Sequence, residues 1–256
     1  MDANEPTTGG MIGATETSFG IVEQLRTNGA TGVSDVAAAL DVSKSTAHNH
    51  LQTLVRLGYV VQTADGYDLS LKFLDLGDHA RKRHALYHAS ISEMDDLVEA
   101  VGERGQVMVE ENGRGVYIYQ VKTEQGVQTD SHIGTTVDLH TTAVGKSYLA
   151  FCDEETQDRI LGSDLSALTS NTIDDREQLL DELAAIRERG HAFNDEERIT
   201  GMRAVGAPIL SDDDSILGAI SVSGPTTRMK GEWYRQDVPE MVMQAARIIG
   251  IRATYS

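Results

Sequence analysis

The run Lys44-Ser-Thr-Ala-His-Asn-His-Leu-Gln-Thr-Leu54 decides the fold. Ala47, Leu51, Leu54 and Val55 recur at the i, i+4, i+7, i+8 spacing of one buried helix face. Lys44, Ser45, Thr46, His48, Asn49 and Gln52 face elsewhere. A merely solvated face is usually rich in Glu and Lys. Small hydroxyl and amide side chains near a helix start suit base edges and phosphates instead. Ser43 is placed to cap this helix and Gly58 to end it.

The flanking elements give the helix its context. Residues 18–26 (SFGIVEQLR) carry apolar side chains at 19, 21, 22 and 25, a helical face closed by Asn28-Gly29. Ser34 is expected to cap a second short helix, Asp35 to Leu40, followed by a tight turn at Asp41-Val42. After Gly58, Tyr59 to Gln62 and Tyr67 to Ser70 read as strands around an Asp65-Gly66 turn. Three helices and a hairpin make a winged helix-turn-helix over residues 18–70, with double-stranded DNA as its expected partner. The candidate DNA-contacting residues are Ser34, Ser43, Lys44, Ser45, Thr46, His48, Asn49 and Gln52. Residues 1–17 read as a disordered start and 71–85 as a linker helix. Its basic end, Arg81-Lys82-Arg83-His84, suits either phosphates or the negative end of the helix dipole.

Charge speaks against DNA at first sight, because the 256 residues carry a net charge of -18. The acids are unevenly placed. Residues 1–85 hold ten acids against seven bases, and residues 86–256 hold 30 against 15. Lysine occurs only at 44, 72, 82, 122, 146 and 230, so 16 of the 22 bases are arginine. Scarce lysine, surplus acid and few aromatics describe a surface suited to molar salt, a halophilic reading. No run approaches the ~20 apolar residues of a membrane span, and the start lacks a basic segment before an apolar one. A cytoplasmic protein without membrane contact is expected. The single cysteine, Cys152, excludes an intrachain disulfide and reads as a small core residue.

Residues 86–256 read as an antiparallel sheet flanked by helices, so the whole chain is α+β. Leu86 to Glu103 is an amphipathic helix, and Gln106 to Glu110 pairs with Gly115 to Val121 around Asn112-Gly113-Arg114. Helices follow at 141–151, 153–161 and 174–189, then strands at 205–210 and 216–223, and a closing helix from Tyr234 to about Ala253. Thr141, Thr142, Ala143, Val144 and Gly145 open a helix whose N-terminus welcomes an anion. Ser221 and Ser223 alternate on a buried strand, where their hydroxyls need either a ligand or neighbouring backbone.

These pieces resemble the IclR-type transcriptional regulators, through KSTAHNHLQTLVRLGYV (44–60), DLHTTAVGKSYLA (138–150) and GHAFNDEERITGMRAVGAPIL with LGAISVSGP (190–225). The resemblance implies a DNA-binding domain, a linker helix and a GAF-like effector-binding domain, here residues 86–256. It implies a homodimer or homotetramer on palindromic operators that regulates catabolic genes, such as those for sugar or organic-acid degradation, in response to a small metabolite. Its pocket positions correspond to Ala143, Val144, Asn194, Ala204, Ser221 and Ser223, to which the helix start adds Thr142. Asn194 stands where an aspartate can occur and Ala204 where a cysteine can, which points away from a glyoxylate-like effector. No cofactor, metal or catalytic residue is expected. Gly145-Lys146-Ser147 lacks the earlier glycine of a phosphate-binding loop, and His132, His140 and His191 match no familiar metal spacing. A sensor that acts through protein contacts rather than DNA is the alternative reading.

Overall fold

The structure, a computed structural model, describes residues 10–127, 129–162 and 165–255. The chain divides between Ala80 and Arg81 into two compact units. Of the expected disordered start, residues 1–9 lie outside the described residues, whereas Gly13 already begins a helix. That helix, α1 (Gly13–Asn28), buries only Ile21, Val22 and Leu25. Its first turns bury nothing, so apolar spacing gives no sign of them.

The first unit continues with α2 (Val33–Ala39), α3 (Lys44–Leu57) and the hairpin β1 (Val60–Thr63) and β2 (Gly66–Leu69). Ile21, Leu25, Val36, Ala47, Leu51, Val60 and Tyr67 form its core. Asp41 takes a positive φ of 51° between α2 and α3, as the turn requires. Ser34 does not cap α2. Gly32 occupies that position without a side-chain bond, and Ser34 lies exposed in the first helical turn. Gly66 packs the wing against the Thr31 bridge strand: a Cβ there would lie 2.5 Å from the Thr31 carbonyl oxygen, at φ 136°.

The chain then runs through α4 (Lys72–Lys82), which buries no residue along its length. Leu71, Leu74 and Leu76 remain exposed.

The second unit holds α5 (Ala85–Val101), β3 (Arg104–Glu111), β4 (Arg114–Lys122), β5 (Thr136–Val137), α6 (Ala143–Phe151), α7 (Glu154–Leu161) and α8 (Arg176–Arg189). It ends with β6 (Ala192–Asp195), β7 (Met202–Leu210), β8 (Ile216–Pro225) and α9 (Val238–Thr254). Six antiparallel strands form one sheet in the order β5-β4-β3-β8-β7-β6. Asn112 and Gly113, at φ 54° and 81°, make the two-residue turn that joins β3 to β4.

Alternation along the strands sorts side chains onto two faces. Val107, Val205, Ile220 and Val222 pack with Leu97, Val242 and Ile249 of α5 and α9. Met108, Ala192 and Ala219 pack on the other side with Val144 and Leu149 of α6 and Leu179 and Leu183 of α8. The second face positions the candidate ligand site.

Candidate functional site

Two regions carry chemistry, one in each unit. In the first, Ser43 caps α3 by accepting a 3.0 Å bond from the Thr46 amide, and its hydroxyl also lies 2.8 Å from both Ser45 Oγ and Thr46 Oγ1. Lys44, Ser45, His48 and Asn49 are exposed along the start of α3. Gln52 behaves differently. Its side chain is half-buried and donates a 2.9 Å bond to the Tyr67 hydroxyl of the wing. The structure thus leaves His48 and Asn49 presented outward and ties Gln52 to the hairpin.

In the second unit, one cavity of about 50 Å³ brings together all seven sequence-selected positions. Thr142, Ala143 and Val144 contribute the start of α6; Asn194 and Ala204 contribute β6 and β7; Ser221 and Ser223 contribute β8. The strand register explains the convergence. Ser221 lies opposite Gly206 and Gln106, and Ser223 lies opposite Ala204 and Arg104, so these residues share a face.

Gly206 lets α6 reach that face. A Cβ at Gly206 would stand 2.6 Å from the Ala143 carbonyl oxygen and 2.9 Å from the Val144 nitrogen. The helix N-terminus therefore lies directly on the sheet. Thr142 Oγ1 accepts the Gly145 amide at 2.9 Å, and Lys146 N donates to the Thr142 carbonyl. The earlier amides, of Ala143 and Val144, lie ahead of the helix's own carbonyl acceptors, where an anion is favoured.

Several lining residues give no signal in the sequence reading. Arg198, Tyr117, Gln106, Thr129 and Ser131 surround the cavity as well. Arg198 is the notable one: its Nη1 donates to the Tyr117 hydroxyl at 3.4 Å, and its Nη2 stands 3.7 Å from the exposed Asp130. Burial pushes the Tyr117 hydroxyl above its ordinary pKa, so it stays protonated beside the two nearby guanidiniums, Arg198 and Arg104. Arg203 also lines the cavity but is held by Asp195 through bonds of 2.6 and 3.1 Å. The signal for Arg198 was one basic residue following three acids, easily read as surface.

That acidic run is structural throughout. Asp195 holds Arg203, Glu196 accepts the Gly201 amide at 2.6 Å, and Glu197 accepts two bonds from Lys146 Nζ at 2.8 and 2.6 Å. Lys146 is 1% exposed and Glu197 7%. Asn194 joins the same arch, donating to the Thr141 carbonyl at 2.8 Å and accepting the Glu197 amide at 3.2 Å. It lines the cavity while its amide mainly fixes the loop that presents Arg198. Burial pushes the Glu197 carboxyl upward against the opposing pull of Lys146. His140, considered as a metal ligand, instead bonds the Ser166 carbonyl at 3.1 Å.

A winged helix-turn-helix in one unit and a cation-lined cavity on a curled sheet in the other define a transcriptional regulator with an effector domain. The comparisons agree. Residues 16–64 match the IclR helix-turn-helix domain, and residues 79–251 match the family described as bacterial transcriptional regulator IclR C-terminal. The chain is 33% identical to a probable HTH-type transcriptional regulator ArcR of Halobacterium salinarum, over 91% of this chain and 90% of that protein. It is 30% identical to the HTH-type transcriptional regulator KdgR of Escherichia coli, over 93% and 91% of the two chains. The crystal structure of the Thermotoga maritima IclR superposes with a TM-score of 0.79 at 29% identity, covering 95% and 98%. The chain belongs to the IclR family: it is a DNA-binding transcriptional regulator and not an enzyme. Among the described residues, no helix is long and apolar enough to cross a membrane.

Proposed function

We propose that the protein is a repressor or activator of a catabolic operon for sugar or organic-acid degradation, controlled by a small anionic metabolite in the cavity of the second unit. One observation carries the reading: the start of α6, Arg198, Ser221 and Ser223 meet in one cavity. A carboxylate there gains the helix-terminal amides and a guanidinium, while the serines and Tyr117 serve hydroxyl or keto oxygens. At ~10–15 Å³ per water-sized group, about 50 Å³ favours a short ligand over a bulky aromatic one. Thr142, Ala143, Val144, Asn194, Ala204, Ser221 and Ser223 form the effector site.

The start of α3 enters the major groove, with His48 and Asn49 toward base edges and Ser34, Ser43, Lys44, Ser45 and Thr46 toward phosphates. Gln52 contributes by bracing the wing. The exposed apolar side chains of Leu71, just before α4, and of Leu74 and Leu76 on it support assembly as a homodimer or homotetramer. The acid surplus, together with likeness to a Halobacterium regulator, supports a halophilic cytoplasm.

The test joins two assays in molar KCl. Thermal-shift screening of short carboxylates and sugar acids is expected to find a stabilising ligand whose effect disappears in Ser221→Ala/Ser223→Ala. Gel shifts with the upstream DNA of the protein's own gene are expected to respond to that ligand. They are expected to weaken in Asn49→Ala and His48→Ala. A wild-type chain that shifts no such DNA, or a double mutant still stabilised to the same degree, refutes the reading.

A further inference from the structure

The sheet face that carries the effector cavity continues beyond it. Arg104 lies opposite Lys122, and Gln106 opposite Gln120, so all four project on the same side. Arg104, Gln120 and Lys122, with Thr129, Asp130, Ser131 and His132, line a second, more open cavity of about 440 Å³.

Arg104 is unusual there. It is 4% exposed, yet among the described residues no carboxylate lies within ion-pair distance of it. Its Nη1 donates to Thr129 Oγ1 and its Nη2 to the Ser131 carbonyl, both neutral groups. Its Nε is buried without a hydrogen-bond partner, and so is Nε2 of Gln120. The nearby acid, Asp130, has a 75% exposed side chain and leans toward Arg198 at 3.7 Å. A buried, uncompensated guanidinium is costly, and burial accordingly lowers the Arg104 pKa. Buried donors left over in a native fold call for an acceptor. Here the two residues that carry these sealed donors line one cavity together with a lysine, in a chain of net charge -18.

We propose that Arg104, Gln120 and Lys122 form a second anion site, distinct from the effector cavity, that takes a phosphoryl oxyanion. The Arg104 and Gln120 side chains turn to bring Nε and Nε2 onto its oxygens, and Lys122 supplies a second positive charge. Donors from separate strands suit the spread oxygens of a phosphoryl group, and two cations suit its near-double charge. Thr129 and Ser131 line both cavities, so an anion at Arg104 also braces one wall of the effector cavity. The proposal stands apart from the effector reading, because none of its three ligating residues lines the first cavity.

Calorimetric titration of the full chain in molar KCl, at constant ionic strength, tests it. The probes are inorganic phosphate, glucose 6-phosphate and gluconate. Phosphate is expected to bind with one site per chain, and Arg104→Gln and Gln120→Leu each to weaken it at least tenfold. Gln120→Leu decides the matter if Arg104→Gln does not fold, since the Gln120 side-chain amide nitrogen has no hydrogen-bond partner among the described residues and the substitution leaves the strand backbone intact. Tighter binding of glucose 6-phosphate than of phosphate assigns the site to a phosphorylated metabolite; the reverse order assigns it to the free ion. The proposal is overturned by three results: no saturable phosphate binding, unchanged affinity in Gln120→Leu, or gluconate bound more tightly than either phosphate at this site. A loss that follows Ser221→Ala rather than Gln120→Leu would place the anion in the first cavity and overturn it equally.

Discussion

Replacing Lys146 by methionine leaves the Glu197 carboxylate buried without its cation. Lys146 is the larger part of the carboxylate's satisfaction, through contacts of 2.6 and 2.8 Å; among the described residues the only other donor is the Asp195 amide at 3.3 Å. Removing one member of a buried ion pair costs ~3–5 kcal/mol, because the remaining charge is stranded. At roughly 2–4 °C per kcal/mol for a unit of this size, Tm is expected to fall by about 6–20 °C. The pH dependence fixes the cause. Burial raises the Glu197 pKa in the folded state, and losing Lys146 raises it further. The folded variant therefore holds its proton more tightly than the unfolded chain does. Its stability is intact below the unfolded pKa and is lost as pH rises toward the folded one, by ~1.4 kcal/mol per unit. The deficit against wild type must grow from acid to neutral pH. Lys146→Met/Glu197→Leu, which removes both charges, should recover most of the loss. Far-UV circular dichroism during thermal unfolding, from pH 4.5 to 8 in molar KCl, measures all three proteins. A single-mutant loss under ~1 kcal/mol, or a double mutant no better than the single, refutes the clamp, since a stranded charge predicts neither.

Three further outcomes follow from local geometry. Ser43→Ala removes the α3 cap and should cost ~1 kcal/mol, read in the melting of the first unit, with DNA affinity falling as the helix start frays. Gly206→Ala sets a methyl 2.6 Å from the Ala143 carbonyl; backbone cannot swing aside, so ~1–3 kcal/mol of stability and the ligand-induced rise in Tm should both be lost. Gln52→Ala and Tyr67→Phe break the same 2.9 Å bond and should weaken DNA binding about equally in a gel shift; a much larger effect of Gln52→Ala would mean that Gln52 reaches a base instead.

What the sequence showed and what it hid divide along physical lines. The helix-turn-helix was legible because Ala47, Leu51 and Leu54 repeat along one face, and Ser43 and Gly58 mark its ends with groups that serve few other purposes. Ser34 has the same chemistry as Ser43 but lies inside α2, because the preceding Gly32 supplies the extended backbone that a cap needs. β5 is too short, at two residues, to show alternation, and the four residues of β6 lack the adjoining Asp-Gly turn that makes the equally short β1 and β2 readable. In the candidate cavity, Ser221 and Ser223 stand out as hydroxyls on an apolar strand. Arg198, Gln106 and Tyr117 do not, since their burial is made by strand register and by the arch pinned through Asn194 and Glu197. Contacts between residues far apart in the chain leave no local pattern to read.

The acid surplus and the recognition helix fit together through salt. Each phosphate neutralised by a protein cation contributes a slope of ~0.9 log units of affinity per log unit of salt, so a basic surface loses its advantage in brine. The start of α3 offers one full charge, Lys44; the exposed Lys72 is tethered to its own unit, bonding the Leu57 carbonyl at 3.0 Å and lying 4.2 Å from the Tyr59 ring. The wing tip adds Asp65 rather than a base. Such a surface gains little from counterion release and correspondingly loses little of its affinity in brine. Under the function we propose, its affinity comes from hydrogen bonds at His48 and Asn49, from a wing held in place by Gln52, and from pairing two copies on one operator. The remaining acids sit mostly beyond residue 85, in the second unit, where they keep its surface hydrated. Arginine in place of lysine serves the same end, since a guanidinium such as that of Arg104 can be buried while the outer surface stays acidic.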